Sequence, residues 1–264
     1  MASQFTKTPV AKDGQVAGTQ TIRRAFLVLN LLRDEGKDMG VVQISQRLGL
    51  NLSTAHRIAR GLVAEGYLSQ DEGRERYRLG PQALLLGQAA QRALGMDVAR
   101  PVLERLASVT DESVNLGLLD GHQVVVIQRI ESSQPLRFSM EAGTRIELHA
   151  TSMGKAVLAF NDDLGTYLDQ QDEPLKQATE KTHSTLAGVR SDLEMIRERG
   201  WSTDDEESVL GVRCVGAPIF DSTGQARAAV AIQAPAVRMP YARFEELGAV
   251  VMEAASELGR VVPL

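Results

Sequence analysis

Apolar positions recur at helical spacing through the first third of the chain. From Thr21 to Arg33, Ile22, Ala25, Phe26, Leu29 and Leu32 share one stripe, which predicts a helix with a buried face. Gly36 and Gly40 interrupt the pattern, and Val41–Leu48 forms a short second helix with Val41, Ile44 and Leu48 inward. Gly49 stands where a helix end favours positive φ. After the turn Gly49-Leu50-Asn51, a third helix runs from Leu52 to about Glu65, with Leu52, Ala55, Ile58, Ala59 and Leu62 on its inner face. Gly66 to Ser69 then starts a strand, Gln70 to Glu75 is a polar turn around Gly73, and Arg76 to Leu79 returns as a second strand.

Pro81 opens a further helix to about Leu94, apolar at Leu84, Leu85, Ala89 and Leu94, which serves as a rigid spacer, a dimerisation surface, or both. Asp97–Thr110 follows as a helix with Val98, Val102, Leu106 and Val109 inward. From Ser113 the texture changes to short apolar strands. Residues 113–130 form a hairpin turning at Asp120-Gly121, and residues 136–140 (LRFSM) a third strand. Residues 149–160 are a loop entering a helix, acidic helices follow near 162–170 and 185–199, and residues 212–220 and 226–235 form another hairpin. A closing amphipathic helix spans Tyr241 to Arg260. This mixture predicts an α+β domain with a mainly antiparallel sheet.

The outer face of the third helix carries Ser53, Thr54, Arg57 and Arg60, with His56 on its flank. Hydroxyls at such positions can bond phosphate, and arginines can reach base edges in a major groove. A plain solvated polar face explains the helix equally well on its own. The order of elements decides between them: helix, short helix, tight turn, polar-faced helix, then a hairpin with Arg74 and Arg76 near its tip is the order of a winged helix-turn-helix.

The 264 residues favour two domains, and 43% hydrophobic with 24% charged residues is ordinary for a globular protein. A net charge of −5 is unexpected for a nucleic-acid binder until it is divided. Residues 1–80 hold 12 Lys and Arg against 8 Asp and Glu, net +4; residues 81–264 hold 17 against 26, net −9. A basic head on an acidic body suits a chain that meets phosphate at one end. No stretch has the ~20 apolar residues of a membrane span, and residues 1–19 read as a solvated, disordered arm rather than a signal peptide. Cys214 alone excludes an intrachain disulfide and a multi-cysteine zinc site, and with no secretion signal the expected compartment is the cytosol.

Several separated stretches resemble the IclR family of bacterial transcription regulators, over about Gln20 to Arg260. They are LGLNLSTAHRIARGLVAEGYL, RYRLGPQALLLG, LHATSMGKAVLAF, the run Arg197 to Trp201, DDEESVLGVRCVGAPIFD, and the final strand before Gln233-Ala234-Pro235. The resemblance implies a winged helix-turn-helix over 20–80, a linker helix over 81–95, and a GAF-like effector-binding domain over 96–264. It also implies homodimers or dimers of dimers on double-stranded operator DNA, and no cofactor. By the same resemblance Ser53, Thr54 and Arg57 contact DNA, supported by Arg60 and the wing residues Arg74 and Arg76. The effector site is lined by Ile146, Thr151, Ser152, Met153, Gly154, Asp204, Cys214, Ala231 and Gln233. Relatives often carry small hydroxyl residues on that last strand; Ala231 and Gln233 depart from this, which weakens the case for a simple keto acid.

The segment HATSMGKA feeds the first turn of a helix, where free N–H groups and the helix dipole favour an anion; the residues alone favour Thr151 as a plain N-cap with the amides facing water, and the resemblance favours a carboxylate-bearing effector there. Thr151 or Ser152 either caps that helix or bonds the ligand. A P-loop is excluded, since the glycine required five residues before Gly154 is His149. Cys214 in an apolar strand is a small buried hydrophobe unless the family's pocket role applies. Residues 204–207 (DDEE) are read as a solvated loop beside a strand in preference to a cation site, with Asp204 free to accept from an effector hydroxyl. The four scattered histidines make no zinc pair, and with no nucleophile–base constellation an enzyme is the lesser alternative.

Overall fold

The computed structural model describes residues 19–71, 73 and 75–264. The predicted arm therefore lies outside the described residues except for Thr19, and so does Arg74. The chain divides into two compact units, with the boundary between Ala93 and Leu94.

In the first unit, α1 (Gln20–Glu35), β1 (Met39–Gly40), α2 (Val41–Leu48) and α3 (Leu52–Ala64) precede the wing strands β2 (Leu68–Asp71) and β3 (Arg76–Leu79), and α4 (Pro81–Ala93) follows. Gly49 takes φ 63° at the end of α2, the conformation that lets the chain turn within three residues into α3. Asn51 caps α3 by accepting from the Thr54 amide at 2.8 Å. Val28, Leu32, Ile44, Ala55, Ile58, Ala59, Leu68 and Tyr77 form the core. The predicted stripe of α1 is corrected here: Ile22 and Phe26 are exposed, and Val28 takes the inner position. Leu52 is exposed too, because it opens α3 ahead of the turn that packs. The strands form an antiparallel sheet in the order β1-β3-β2, with the two-residue β1 not foreseen from sequence because it is too short to show alternation.

The second unit begins with α5 (Met96–Thr110), followed by β4 (Ser113–Asp120), β5 (Gln123–Ile130), β6 (Arg145–Glu147), α6 (Ser152–Ala159) and α7 (Leu186–Arg199). Then come β7 (Ser202–Asp205), β8 (Val212–Phe220), β9 (Ala226–Pro235) and α8 (Phe244–Val261). Six strands form one antiparallel sheet in the order β6-β5-β4-β9-β8-β7. Its faces bury separate cores: α5 and α8 cover one with Leu103, Leu106, Leu247 and Leu258, while α6 and α7 cover the other with Val157, Val189, Leu193 and Ile196. Covering both faces explains the near-continuous apolar run of β9, which has no solvent side to alternate with.

Four expectations are corrected in this unit. Residues 136–140 form no strand; the third strand at that edge is Arg145–Glu147. Residues 162–170 make two short 3₁₀ turns, Asp162–Leu164 and Leu168–Gln170, instead of a helix. Val98 and Val109 face outward, because the sheet-facing stripe of α5 runs through Ala99, Val102, Leu103, Leu106 and Thr110. The acidic run is no solvated loop: Asp204 and Asp205 lie in β7, and Asp204 and Glu207 are buried.

Candidate functional site

The head presents one face of α3 to solvent. Ser53, His56, Arg57 and Arg60 are exposed and Thr54 is half-buried, while Ala55, Ile58 and Ala59 anchor the opposite side. Ser53 Oγ donates to Asn51 Oδ1 at 3.1 Å, so the hydroxyl rests on the helix cap yet stays accessible. Among the described residues, no carboxylate pairs with Arg57 or Arg60. Arg76 differs: it donates to the Asp38 carbonyl at 2.6 Å and pairs with the Asp38 carboxylate at 3.0 Å. It thereby ties the wing to the turn before α2. Arg78, one alternation further along β3, is exposed and was not singled out from sequence.

The body holds a small internal cavity built by strand register. Across the sheet, Asp204 of β7 sits opposite Cys214 of β8, and Cys214 opposite Gln233 of β9. The adjacent row runs Ser202, Gly216, Ala231, Asn115 and Arg129 from β7 to β5. Paired residues share a face, so the polar groups of both rows project to the α6 side. Asn115, Met140, Ile146, Thr151, Ser152, Met153, Asp204, Ser208, Cys214, Ala231 and Gln233 line the cavity. Its volume is about 20 Å³, room for about one water.

The expected residues Ile146, Thr151, Ser152, Met153, Asp204, Cys214, Ala231 and Gln233 are all on that wall, whereas Gly154 is not. Gly154 serves packing: a Cβ there would stand 2.5 Å from the Glu147 carbonyl oxygen and 2.6 Å from Leu148 Cα. Thr151 is the N-cap of α6, its hydroxyl accepting from the Gly154 amide at 3.1 Å and donating to the Glu147 carbonyl at 2.8 Å. That leaves the first-turn amides of Ser152 and Met153 as the donors an anion could use.

The buried lysine of the body is answered within the fold. Lys155, wholly buried, donates to Asp192 at 2.5 Å and Glu207 at 2.6 Å. Burial works against its ammonium, but Glu207 and Asp192 outweigh that and hold it charged. His183, Asp192 and Glu207 bring ligand atoms within 4.8 Å of one another, and the Lys155 ammonium already supplies the cation for the two carboxylates. Burial, reinforced by Glu207, lifts the Asp204 carboxyl to about 7. Asp204 accepts from the Glu207 amide at 2.7 Å, the Ser208 amide at 3.2 Å and the Ser208 hydroxyl. Burial also pushes the Cys214 thiol well up, the opposite of a reactive thiolate, and places it in hydrogen-bonding reach of Ser152 and Gln233. Sequence reasoning passed over Asn115, Ser208, Arg129 and Lys155. A lysine inside the apolar run MGKAVLAF was a legible signal of a buried ion pair; the others depend on register.

Similarity to known proteins agrees with this layout. The family model described as the IclR helix-turn-helix domain matches residues 21–72, and that of the bacterial transcriptional regulator IclR C-terminal matches residues 88–260. The chain is 36% identical over 242 residues to the HTH-type transcriptional regulator BhcR of Paracoccus denitrificans, covering 91% of this chain and 86% of that protein. It is 30% identical over 260 residues to the acetate operon repressor of Salmonella typhimurium, covering 96% and 93%. Among solved structures, the Thermotoga maritima IclR superposes with a TM-score of 0.76 at 30% identity, covering 92% of this chain and 98% of that one.

Proposed function

The chain belongs to the IclR family of bacterial transcriptional regulators, and we propose that it binds operator DNA through α3 and the wing under the control of a small organic acid held in the body's cavity. The observation that carries this reading is the outer face of α3. Arg57 and Arg60 stand there exposed beside Ser53, on a helix whose other face is fixed by Ala55, Ile58 and Ala59. Such a helix offers hydroxyls to phosphate and guanidinium forks to guanine edges without disturbing its own core. Arg78 and Arg76 extend the positive surface onto the wing, with Arg76 positioned by Asp38.

Two heads are needed to read a two-fold operator, with half-sites about one helical turn or multiples apart. The linker helix α4 buries none of its residues within the described chain, and Leu84, Leu85 and Leu86 are exposed. Those leucines support assembly of at least a homodimer. Effector control then works by population shift: an acid that favours one arrangement of the body favours one spacing of the paired heads. The relatives include a named repressor, and repression is the reading that name supports.

The test is fluorescence anisotropy on the DNA upstream of the protein's own gene, between about 50 and 200 mM salt, for the parent and Arg57→Ala. Selective binding that weakens steeply with salt, and falls about tenfold or more in Arg57→Ala, is the expected result. Equal affinity for unrelated DNA, unchanged by the substitution, would sink the assignment of α3.

A further inference from the structure

We infer that Arg129 is the carboxylate anchor of the body's cavity, the group that supplies the counter-charge for a small carboxylic acid bound there. The inference rests on the proposed reading of that cavity as the effector site. Strand register puts Arg129 on the cavity face, beside Asn115, in the row that continues through Ala231. Its Nη1 donates to Asn115 Oδ1 at 2.9 Å and to Gln233 Oε1 at 2.8 Å, and both of those side chains line the cavity. Its Nη2 donates to the Phe138 carbonyl.

The side chain is only 6% exposed. Every hydrogen-bond acceptor it has is neutral, and its buried Nε donates no hydrogen bond. The nearest carboxylate, Glu131, lies 4.0 Å from Nε, is half exposed, and is shared with Arg137 at 3.3 Å. Burial accordingly lowers the basicity of this guanidinium. A buried cation held by neutral acceptors, with a donor left over, is costly by itself and is relieved by an anion. Lys155 makes the contrast within the same domain, with two carboxylates against one ammonium.

The ligand's chemistry follows. A guanidinium takes a carboxylate, whose planar pair of oxygens matches its donors, and Nη1 is the donor that meets the cavity wall, at Asn115 and Gln233. On the far side of Gln233, the Cys214 thiol and Ser152 continue a polar line toward the first-turn amides of α6, which suit a second oxygen on the same small molecule. The cavity admits little more than a water as it stands. Met140, in the irregular segment between β5 and β6 that Arg129 holds through Phe138, forms one wall, so an anion on the guanidinium acts directly on that segment.

Isothermal titration calorimetry on the full chain tests this with formate, acetate, pyruvate, malonate and succinate, each beside its neutral amide. Parent protein, Arg129→Gln, Arg129→Lys and Ala231→Val are compared, with circular dichroism to show that each is folded. The expected result is that at least one acid binds the parent at least tenfold tighter than its amide. Arg129→Gln then loses that preference, and Arg129→Lys, which keeps the charge but not the fork, falls between them and reports alone if the glutamine variant does not fold. Binding undiminished in Arg129→Gln or Arg129→Lys but weakened in Ala231→Val would overturn the anchor while leaving the cavity as the effector site. If no acid binds the parent, the small-acid reading of the cavity fails and the anchor falls with it.

Discussion

The head and the body keep their charges in opposite ways. Arg57 and Arg60 stand in water on α3 with no carboxylate among the described residues to neutralise them. Lys155, Asp192, Glu207, Asp204 and Arg129 are buried or nearly so: Lys155 meets two carboxylates from elements distant in sequence, Asp204 is held by the turn that follows it, and Arg129 has neutral acceptors alone. Water solvates an exposed guanidinium at no cost to the fold, so the head can hold charge ready for phosphate. A buried charge must be matched when the chain folds, and any mismatch left over is a place for a ligand. The head's site is thus a surface that function can alter freely; the body's is part of the core.

The largest effect expected from breaking this contrast is at Lys155. Replacing it by Met leaves Asp192 and Glu207 buried without their cation, a loss of about 3–5 kcal/mol in the body. Urea unfolding followed through the single Trp201, which lies in the body, reads that loss directly. A midpoint unchanged from the parent would mean that the carboxylates escape to water or protonate freely, and the ion cluster would lose its structural role. The intermediate effect belongs to the head. Arg57→Ala is expected to cost about 1–3 kcal/mol of specific DNA affinity, yet to leave unfolding within about 0.5 kcal/mol of the parent. A large drop in stability there would show that the α3 arginine is bound into the fold after all.

How much of this was legible follows the same division. The three head helices, the wing and the polar face of α3 come from periodicity and turn residues within some sixty consecutive positions, so local pattern suffices. Even there Ile22 and Phe26 defeat the pattern, since apolar spacing does not say which stripe the core will use. In the body, resemblance located most of the cavity wall, but the partners of those residues did not follow. Arg129 meets Gln233 across 104 positions, and Lys155 meets Glu207 across 52. Such pairings arise from sheet order and register, which no single stretch encodes. Asp204 and Glu207 were misjudged for the same reason: four consecutive acids look solvated until a sixth strand buries two of them.

The smallest effect sharpens the contrast by pH. In the unfolded chain the Asp204 carboxyl titrates near 3.9, and burial lifts it to about 7 in the fold. Below the lower value both states hold the proton, and above the higher value both have lost it. Between them only the folded state keeps it, so the stability of the body falls as pH rises through that window and then levels off. Asp204→Asn is neutral throughout, and its Oδ1 can still accept from the Glu207 and Ser208 amides. Its advantage over the parent is therefore expected to grow by about 1 kcal/mol from pH 6 to pH 8, nearly all of it by the time Asp204 has ionised. Arg57→Ala, which leaves the Asp204 carboxyl in place, should track the parent. A difference between Asp204→Asn and parent that stays constant over the range would place the Asp204 proton elsewhere. The same ionisation bears on the ligand, because a charged Asp204 repels a carboxylate sharing its cavity. Acid binding that weakens above pH 7 in the parent but not in Asp204→Asn would tie the buried charges of the body to what it senses, whereas the head's exposed arginines would feel none of it.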